Sequence, residues 1–79
     1  MIKVRILTPE RSQEFEADAI FLPGEIGEFE VLVNHAPIIS TLVAGSVRWR
    51  AGESTGSLEI LGGVVRLKDN EMSICVEEK

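Results

Sequence analysis

The sequence is poor in the residues on which disulfide-bonded, metal-binding and acid–base catalytic proteins depend. It has one cysteine, one histidine and no tyrosine among its 79 residues. A single cysteine cannot form an internal disulfide, which fits a reducing compartment. His35 and the distant Cys75 form no ligand cluster, and Gly62-Gly63 lacks the Lys-Ser/Thr pair of a phosphate-binding loop. We therefore expect neither a metal site nor a bound cofactor.

Long apolar runs and an excess of positive charge are also missing. No segment approaches the roughly 18 apolar residues of a membrane span, and the alternating start Met1–Ile6 lacks the apolar region of a signal peptide. Thirteen acidic against eight basic residues give a net charge of −5, which repels a nucleic-acid backbone. We expect a soluble, cytoplasmic protein that does not bind nucleic acid and meets a membrane only through a partner.

Apolar residues occur in short runs that alternate with polar ones. Hydrophobic residues make up 44% of the chain and charged residues 27%, an ordinary globular composition. Alternation with a period of two predicts half-buried strands. The clearest runs are Ile2–Leu7, Ala19–Leu22, Phe29–Val33, Ile38–Val43, Val47–Trp49, Leu58–Ile60, Val65–Leu67 and Met72–Val76.

A helix over Glu10–Ala19 is the competing interpretation of one segment. Its apolar residues, at 15, 17 and 19, form no helical stripe, so we predict a short strand around Phe15 instead. The sequence thus predicts an all-β protein of eight to ten short strands without a substantial helix. Two antiparallel sheets packed face to face, or a small barrel, satisfy this pattern, and one domain fills residues 1–79.

Turn-forming residues interrupt the alternation. Ala51–Gly56 predicts a flexible hairpin tip, Gly62-Gly63 a bulge or a corner between sheets, and Asp69-Asn70 a turn before the last strand. The densest cluster lies in Leu22–Pro37, which holds two prolines, two glycines and the histidine. Such a segment predicts a loop of defined shape, and loops of this kind carry function on small β-scaffolds.

Candidate functional residues have two interpretations each. His35 could be a catalytic base, but with no triad partner beyond nearby Ser40 and Thr41 we favour a hydrogen-bonded loop or interface residue. For Cys75 we favour a small residue with a free thiol over a redox role. The carboxylates of the Leu22–Pro37 segment either keep the loop solvated or form a contact surface for a basic or polar partner loop. They belong to Glu25, Glu28 and Glu30.

The basic residues cluster on two predicted strands. They either pair across strands with Glu59 or neighbouring acids, which we favour, or form an electropositive stripe. A lipoyl or biotinyl carrier module is a poor match, because Lys68 before Asp69 does not reproduce the usual setting of the modified lysine. The clustered residues are Arg48, Arg50, Arg66 and Lys68.

Four motifs in order carry a resemblance to a known family. They are Leu22-Pro-Gly-Glu-Ile-Gly27, Val31-Leu-Val-Asn-His-Ala-Pro37, Leu42-Val-Ala-Gly-Ser-Val-Arg48, and Gly62-Gly63 before an apolar strand. Together they closely resemble the epsilon subunit of bacterial F-type ATP synthase. The resemblance implies a flattened antiparallel β-sandwich of about ten strands in the rotor's central stalk.

The resemblance also implies a function and a site. Such a subunit is not catalytic; it binds the gamma subunit and the polar loops of the c-ring and couples proton translocation to ATP synthesis. The implied c-ring contacts are Gly27, Glu28 and Phe29, with His35 at the same end of the sandwich. The implied location is peripheral, at the cytoplasmic face of the bacterial inner membrane. The alternative is a generic β-sandwich interaction module with another partner.

Two departures from the family pattern bear on these expectations. Val33 stands where the family often has proline, so the turn is looser or the strand runs one residue further. The sequence stops at Lys79, where the sandwich is expected to end, without the two C-terminal helices of the usual subunit. From this we expect a naturally short or a truncated form that neither inhibits ATP hydrolysis by helix extension nor binds ATP.

Overall fold

Eight strands and no helix make up the computed structural model, which describes every residue from Met1 to Lys79. The predicted all-β class is confirmed. The eight strands lie within the eight to ten that the alternation predicts, but they are fewer than the ten or so that the resemblance implies. They are β1 (Ile2–Leu7), β2 (Ser12–Ala17), β3 (Ala19–Pro23), β4 (Glu28–Leu32), β5 (Ile38–Leu42), β6 (Gly45–Ala51), β7 (Ser54–Lys68) and β8 (Glu71–Glu78).

The long strand β7 accounts for part of the lower count. The runs Leu58–Ile60 and Val65–Leu67, predicted as separate strands, are two parts of this 15-residue strand. The irregularity predicted at Gly62-Gly63 is a register shift just before these glycines, between Ile60 and Gly62, and the strand continues through it. The first part of β7 pairs with β6, and the second part pairs with β5 and β8. One strand therefore serves both halves of the fold.

The strands form two layers that β7 connects. Strands β2, β1, β8 and β5 gather around its second part, whereas β6, β3 and β4 follow its first part. Elsewhere a bridge between Gly24 and Leu42 joins the layers, as do the rings of Phe15 and Trp49, whose centroids lie 4.6 Å apart. The domain measures 27 × 24 × 18 Å, and its thinnest dimension suits two sheets about 10 Å apart. The predicted flattened sandwich is confirmed.

One strand pair departs from the predicted antiparallel arrangement. Strands β1 and β8 run parallel, with register from Lys3 opposite Glu71 to Leu7 opposite Cys75. Parallel strands need a long connection, and here the rest of the domain provides it. The remaining pairs are antiparallel, as predicted.

The core is aliphatic and lies between the two layers. No polar or charged side chain is buried, and Phe15, Phe29 and Trp49 pack only at the margin of the buried cluster. Strands β1, β3 and β8 contribute alternate residues to this cluster, as the period of two requires, β7 contributes three, and β2, β4, β5 and β6 contribute one each. The buried cluster consists of Ile2, Val4, Ile6, Ala17, Ile20, Leu22, Val31, Leu42, Val47, Ile60, Val65, Leu67, Met72, Ile74 and Val76.

The hairpin tip predicted as flexible is a tight turn. Ser54 already pairs with Ala51, so only Gly52 and Glu53 connect β6 to β7. Gly52 has a φ of 63°, which glycine adopts without strain, and its amide donates a hydrogen bond of 2.6 Å to the Asp18 carboxylate. The predicted length of this loop was wrong because the small polar residues Ser54 to Gly56 are part of the ladder.

The turn between β7 and β8 is tied to the connection between β4 and β5. Asp69 and Asn70 have φ angles of 52° and 61°, as both central residues of a type I′ hairpin require. The backbone amide of Asn34 donates to Asn70 Oδ1 at 2.6 Å, and the side-chain Nδ2 of Asn70 donates to Asn34 Oδ1 at 2.9 Å. This reciprocal pair fixes the segment that carries His35.

We expect an Asn70→Gly variant to be destabilised by about 1 kcal/mol. Glycine keeps the positive φ without strain, so the variant loses chiefly two exposed hydrogen bonds. The midpoint of urea unfolding measures the change. Asp69→Gly is the matched control, because the Asp69 side chain makes no hydrogen bond and its φ is also positive. Equal stability of the two variants would show that the asparagine pair contributes nothing.

Candidate functional site

The loop between β3 and β4 has the defined shape that its turn residues predict. The amides of Gly24 and Gly27 donate to each other's carbonyl oxygens at 3.2 Å. Gly27 has a φ of 147°, which other residues rarely adopt, and the Val43 amide donates to the Pro23 carbonyl at 2.9 Å. Backbone hydrogen bonds thus hold the loop against the start of the β5–β6 connection.

Ile26 is the most exposed apolar side chain of the molecule, at 105% relative exposure. It projects from the tip of this loop, and Ile39, 73% exposed, helps to line the shallow cleft beside it. Sequence reasoning missed Ile26 because it considered the carboxylates of the loop and the contact positions implied by the resemblance, which begin at Gly27. An isoleucine placed between a glutamate and a glycine inside a turn was the available signal, since isoleucine favours buried strands.

Glu28 begins β4 and is held by an internal partner. Arg48 Nη2 donates to both carboxylate oxygens of Glu28 at 2.8 Å, and the two side chains are half exposed. The Arg48 guanidinium carbon also lies 5.0 Å from the centroid of the Phe21 ring. For Arg48 the sequence favoured pairing with Glu59 or a neighbouring acid. Arg48 does pair with an acid, but that acid is Glu28, whereas Glu59 accepts a hydrogen bond from the Ser46 hydroxyl.

The residues on either side of Glu28, Gly27 and Phe29, differ in exposure. Gly27 is exposed, whereas Phe29 is half-buried, pairs with Leu22 and packs against the core. A Cβ on Gly24 would lie 3.0 Å from the Phe29 ring. Phe29 therefore supports the loop from beneath, and the exposed side chains of the loop are Glu25, Ile26 and Glu28.

His35 lies apart from these three residues. Four steps along β4 separate Glu28 from Leu32, which is about 13 Å of extended chain, and His35 follows beyond that end. The structure therefore does not bring His35 together with Gly27, Glu28 and Phe29. Strand β4 ends at Leu32, so it does not run further through Val33, and the turn is closed by the His35 amide donating to Leu32 at 3.2 Å.

The His35 ring is engaged by the backbone. Its Nδ1 lies 2.7 Å from the Ala36 carbonyl oxygen, and the ring is half-buried. The Ser40 hydroxyl donates to the Thr41 carbonyl at 3.3 Å, so it is not paired with the imidazole. This geometry matches the favoured interpretation of His35 as a hydrogen-bonded loop residue.

Other chemistry-bearing groups do not converge. No three His, Cys, Asp or Glu side chains approach one another as a metal site would require, and Cys75 is exposed, as its alternation predicted. The structure contains no helix long and apolar enough to cross a membrane.

A forked ion pair lies elsewhere on the surface. The Arg11 guanidinium donates to Glu78 from Nη2 at 2.6 Å and from Nε at 3.1 Å. These hydrogen bonds hold the pKa of Glu78 below its ordinary value. The pair joins the β1–β2 connection to the end of β8, so its role is structural.

Comparison with known proteins identifies the family. The family described as the ATP synthase, Delta/Epsilon chain, beta-sandwich domain matches residues 1–79. The chain belongs to this family. The resemblance drawn from the four sequence motifs is thereby confirmed.

Relatives in this family include two epsilon chains. The ATP synthase epsilon chain of Leptospira interrogans is 39% identical over 77 residues, covering 96% of this chain and 61% of that protein. The chloroplastic epsilon chain of Chlamydomonas reinhardtii is 42% identical over 84 residues, covering 98% and 60% respectively. The chain thus spans about three fifths of the length of these relatives.

Two solved structures share the fold. The Tetrahymena thermophila mitochondrial ATP synthase, in its central stalk and c-ring, contains a chain that matches with a TM-score of 0.83 and 19% identity, over 98% of this chain and 63% of that one. A chain of the Euglena gracilis mitochondrial ATP synthase matches with a TM-score of 0.88 and 20% identity, over 95% and 49%. At these identities the likeness shows the fold alone.

Proposed function

We propose that this ATP synthase epsilon domain works as a rotor subunit of the central stalk. It binds the gamma subunit and the c-ring and couples proton translocation to ATP synthesis, and it is not itself catalytic. The observation that carries the proposal is the family match over all 79 residues. As part of that complex, the domain lies peripherally at the cytoplasmic face of the bacterial inner membrane.

Within this role, the loop between β3 and β4 is the c-ring contact. Its hydrogen-bonded backbone presents one exposed apolar side chain, Ile26, beside the half-exposed Glu28 carboxylate. An apolar anchor next to a charge suits a partner loop with polar and basic side chains. Gly27 gives the loop its shape and Phe29 supports it, while His35 would meet the partner at a separate point beyond the other end of β4.

Co-purification from membranes of the source organism tests the assignment. A chain with a photo-reactive residue in place of Ile26 is expected to cross-link to a c-subunit, and its tag is expected to recover gamma with the ring. The same residue in place of Glu53, in the turn at the far end of β6, is the control. Recovery of a different partner without gamma and c-subunits would favour the generic interaction module instead.

Glu28→Gln is expected to weaken c-ring binding on the order of fivefold at low salt while changing the melting temperature by only a few degrees. The variant loses a half-exposed charge whose pairing with Arg48 contributes little to folding. Titration of the labelled chain with detergent-solubilised c-ring measures the affinity. Glu53→Gln makes the same charge change at a distant turn and is expected to bind normally. A large drop in melting temperature for Glu28→Gln would instead make this residue structural.

A further inference from the structure

We propose that Arg48, seated on the ring of Phe21, is the positioning residue that fixes the Glu28 carboxylate for one basic side chain of the partner. This inference rests on the proposed c-ring contact and adds to it a residue on a different strand. Three strands contribute: Phe21 from β3, Glu28 from β4 and Arg48 from β6.

The geometry of the pair leaves Glu28 able to bind a second cation. One nitrogen, Arg48 Nη2, lies 2.8 Å from each carboxylate oxygen and so occupies the space between them. A carboxylate has about four lone-pair sites, so the outward-facing pairs stay available. Glu28 remains 49% exposed in its side chain, which gives a partner direct access.

Arg48 is itself held in place. It lies opposite Phe21 across β3 and β6, and its guanidinium carbon is 5.0 Å from the centroid of that ring. Strand β6 is paired on both edges, with β3 and with β7. Arg48 is therefore anchored on an interior strand, and its guanidinium rests on an aromatic ring. Glu28 lies on β4, an edge strand that pairs only with β3.

Neighbouring Arg50 provides a matched control. It lies two residues further along β6 on the same exposed face, and it forms no ion pair. Arg48→Met and Arg50→Met make the same change in charge, and methionine keeps an apolar side chain over Phe21 in the first variant. Only the Arg48 variant frees the Glu28 carboxylate.

The sign of the effect separates three accounts of Arg48. If the partner responds only to overall charge, both variants become more negative and bind a basic partner equally more tightly. If Arg48 masks Glu28, its loss strengthens binding more than the loss of Arg50. If Arg48 positions Glu28, its loss weakens binding, because the freed carboxylate must be ordered again on association.

The experiment measures, for the wild-type chain and each variant, the dissociation constant of its complex with the detergent-solubilised gamma–c-ring assembly and of its complex with gamma alone. The ratio of the two constants isolates the ring contribution. Arg48→Met is expected to weaken that contribution about twofold to fivefold relative to Arg50→Met. Arg48→Lys, which keeps the charge but not the flat guanidinium, is expected to recover part of the loss. In a Glu28→Gln background, the difference between Arg48→Met and Arg50→Met is expected to disappear.

The outcomes distinguish this inference from the proposed function. Arg48→Met binding as tightly as Arg50→Met, or more tightly, overturns the positioning role while leaving the c-ring contact intact. Persistence of the full Arg48 effect without the Glu28 charge overturns it as well. A wild-type chain with no ring contribution at all overturns the proposed contact, and this inference with it. Melting temperatures of all variants, single and double, show whether each is folded when its binding is measured.

Discussion

A Gly63→Ala variant is expected to lose about 3 kcal/mol or more of its free energy of unfolding. A Cβ on Gly63 would overlap the Cys75 carbonyl oxygen and would lie 2.8 Å from the Val76 Cα. Both are backbone atoms of β8, so no side-chain rotation relieves the contact. The β7 and β8 backbones must separate where β7 carries pairing for both layers of the sandwich.

That loss is large for a domain of this size. Stabilities of roughly 0.05–0.15 kcal/mol per residue give about 4–12 kcal/mol for 79 residues. We expect a fall in melting temperature of more than about 12 °C, read by thermal unfolding and by the urea midpoint.

Gly62→Ala is the matched control for this prediction. A methyl group added at Gly62 would have the Leu42 carbonyl oxygen as its nearest neighbour, at 3.4 Å, which is an ordinary contact. We expect a change within about 1 kcal/mol, since alanine also lowers the entropy of the unfolded chain. If the two variants unfold at the same denaturant concentration, the close approach of β7 to β8 does not limit the residue at 63.

Ile74→Ala is expected to cost about 2–5 kcal/mol. Ile74 is completely buried, and its strand β8 lies between β1 and β7, where its register partners are Ile6 and Val65. Both are buried too, so truncation leaves a cavity lined by stiff β-branched side chains that cannot collapse readily. Urea unfolding with an unchanged m-value would report this as a loss of stability alone.

Two further variants serve as controls for Ile74→Ala. Ile74→Val removes one methylene and is expected to cost about 0.5–1.5 kcal/mol. Cys75→Ala changes the next residue, whose side chain is exposed, and is expected to shift stability by less than about 0.5 kcal/mol. A Cys75 effect as large as that of Ile74 would contradict the assignment of the two faces of β8.

Where the site is concerned, the sequence indicated the segment but not its geometry. A loop of defined shape was predictable, because the turn preferences of proline and glycine affect only their immediate neighbours in the chain. The residues concerned are Pro23, Gly24 and Gly27. The ion-pair partner of Glu28 was not predictable, because Arg48 lies twenty residues further along the chain. Alternation predicts only which face of its strand Arg48 occupies. Likewise, the distance between Glu28 and His35 depends on β4 being extended and ending at Leu32.

The sequence by itself determined the strand class, most of the buried residues and the family. Alternation is a local property, and it placed Ile2, Val4, Ile6, Met72 and Ile74 in the core because a pleated strand buries every second residue. Four ordered motifs were enough to indicate the epsilon family.

Only the tertiary structure decided how these strands meet. The parallel pairing of β1 with β8 and the contact of Arg48 with Glu28 join segments distant in sequence. The continuity of β7 through Gly62-Gly63 depends on such partners too, because β6, β5 and β8 pair along its length. A period of two specifies which face of each strand is buried, but not its neighbour, direction or register. Those follow from fitting both layers around one aliphatic core, where each pairing depends on all the others.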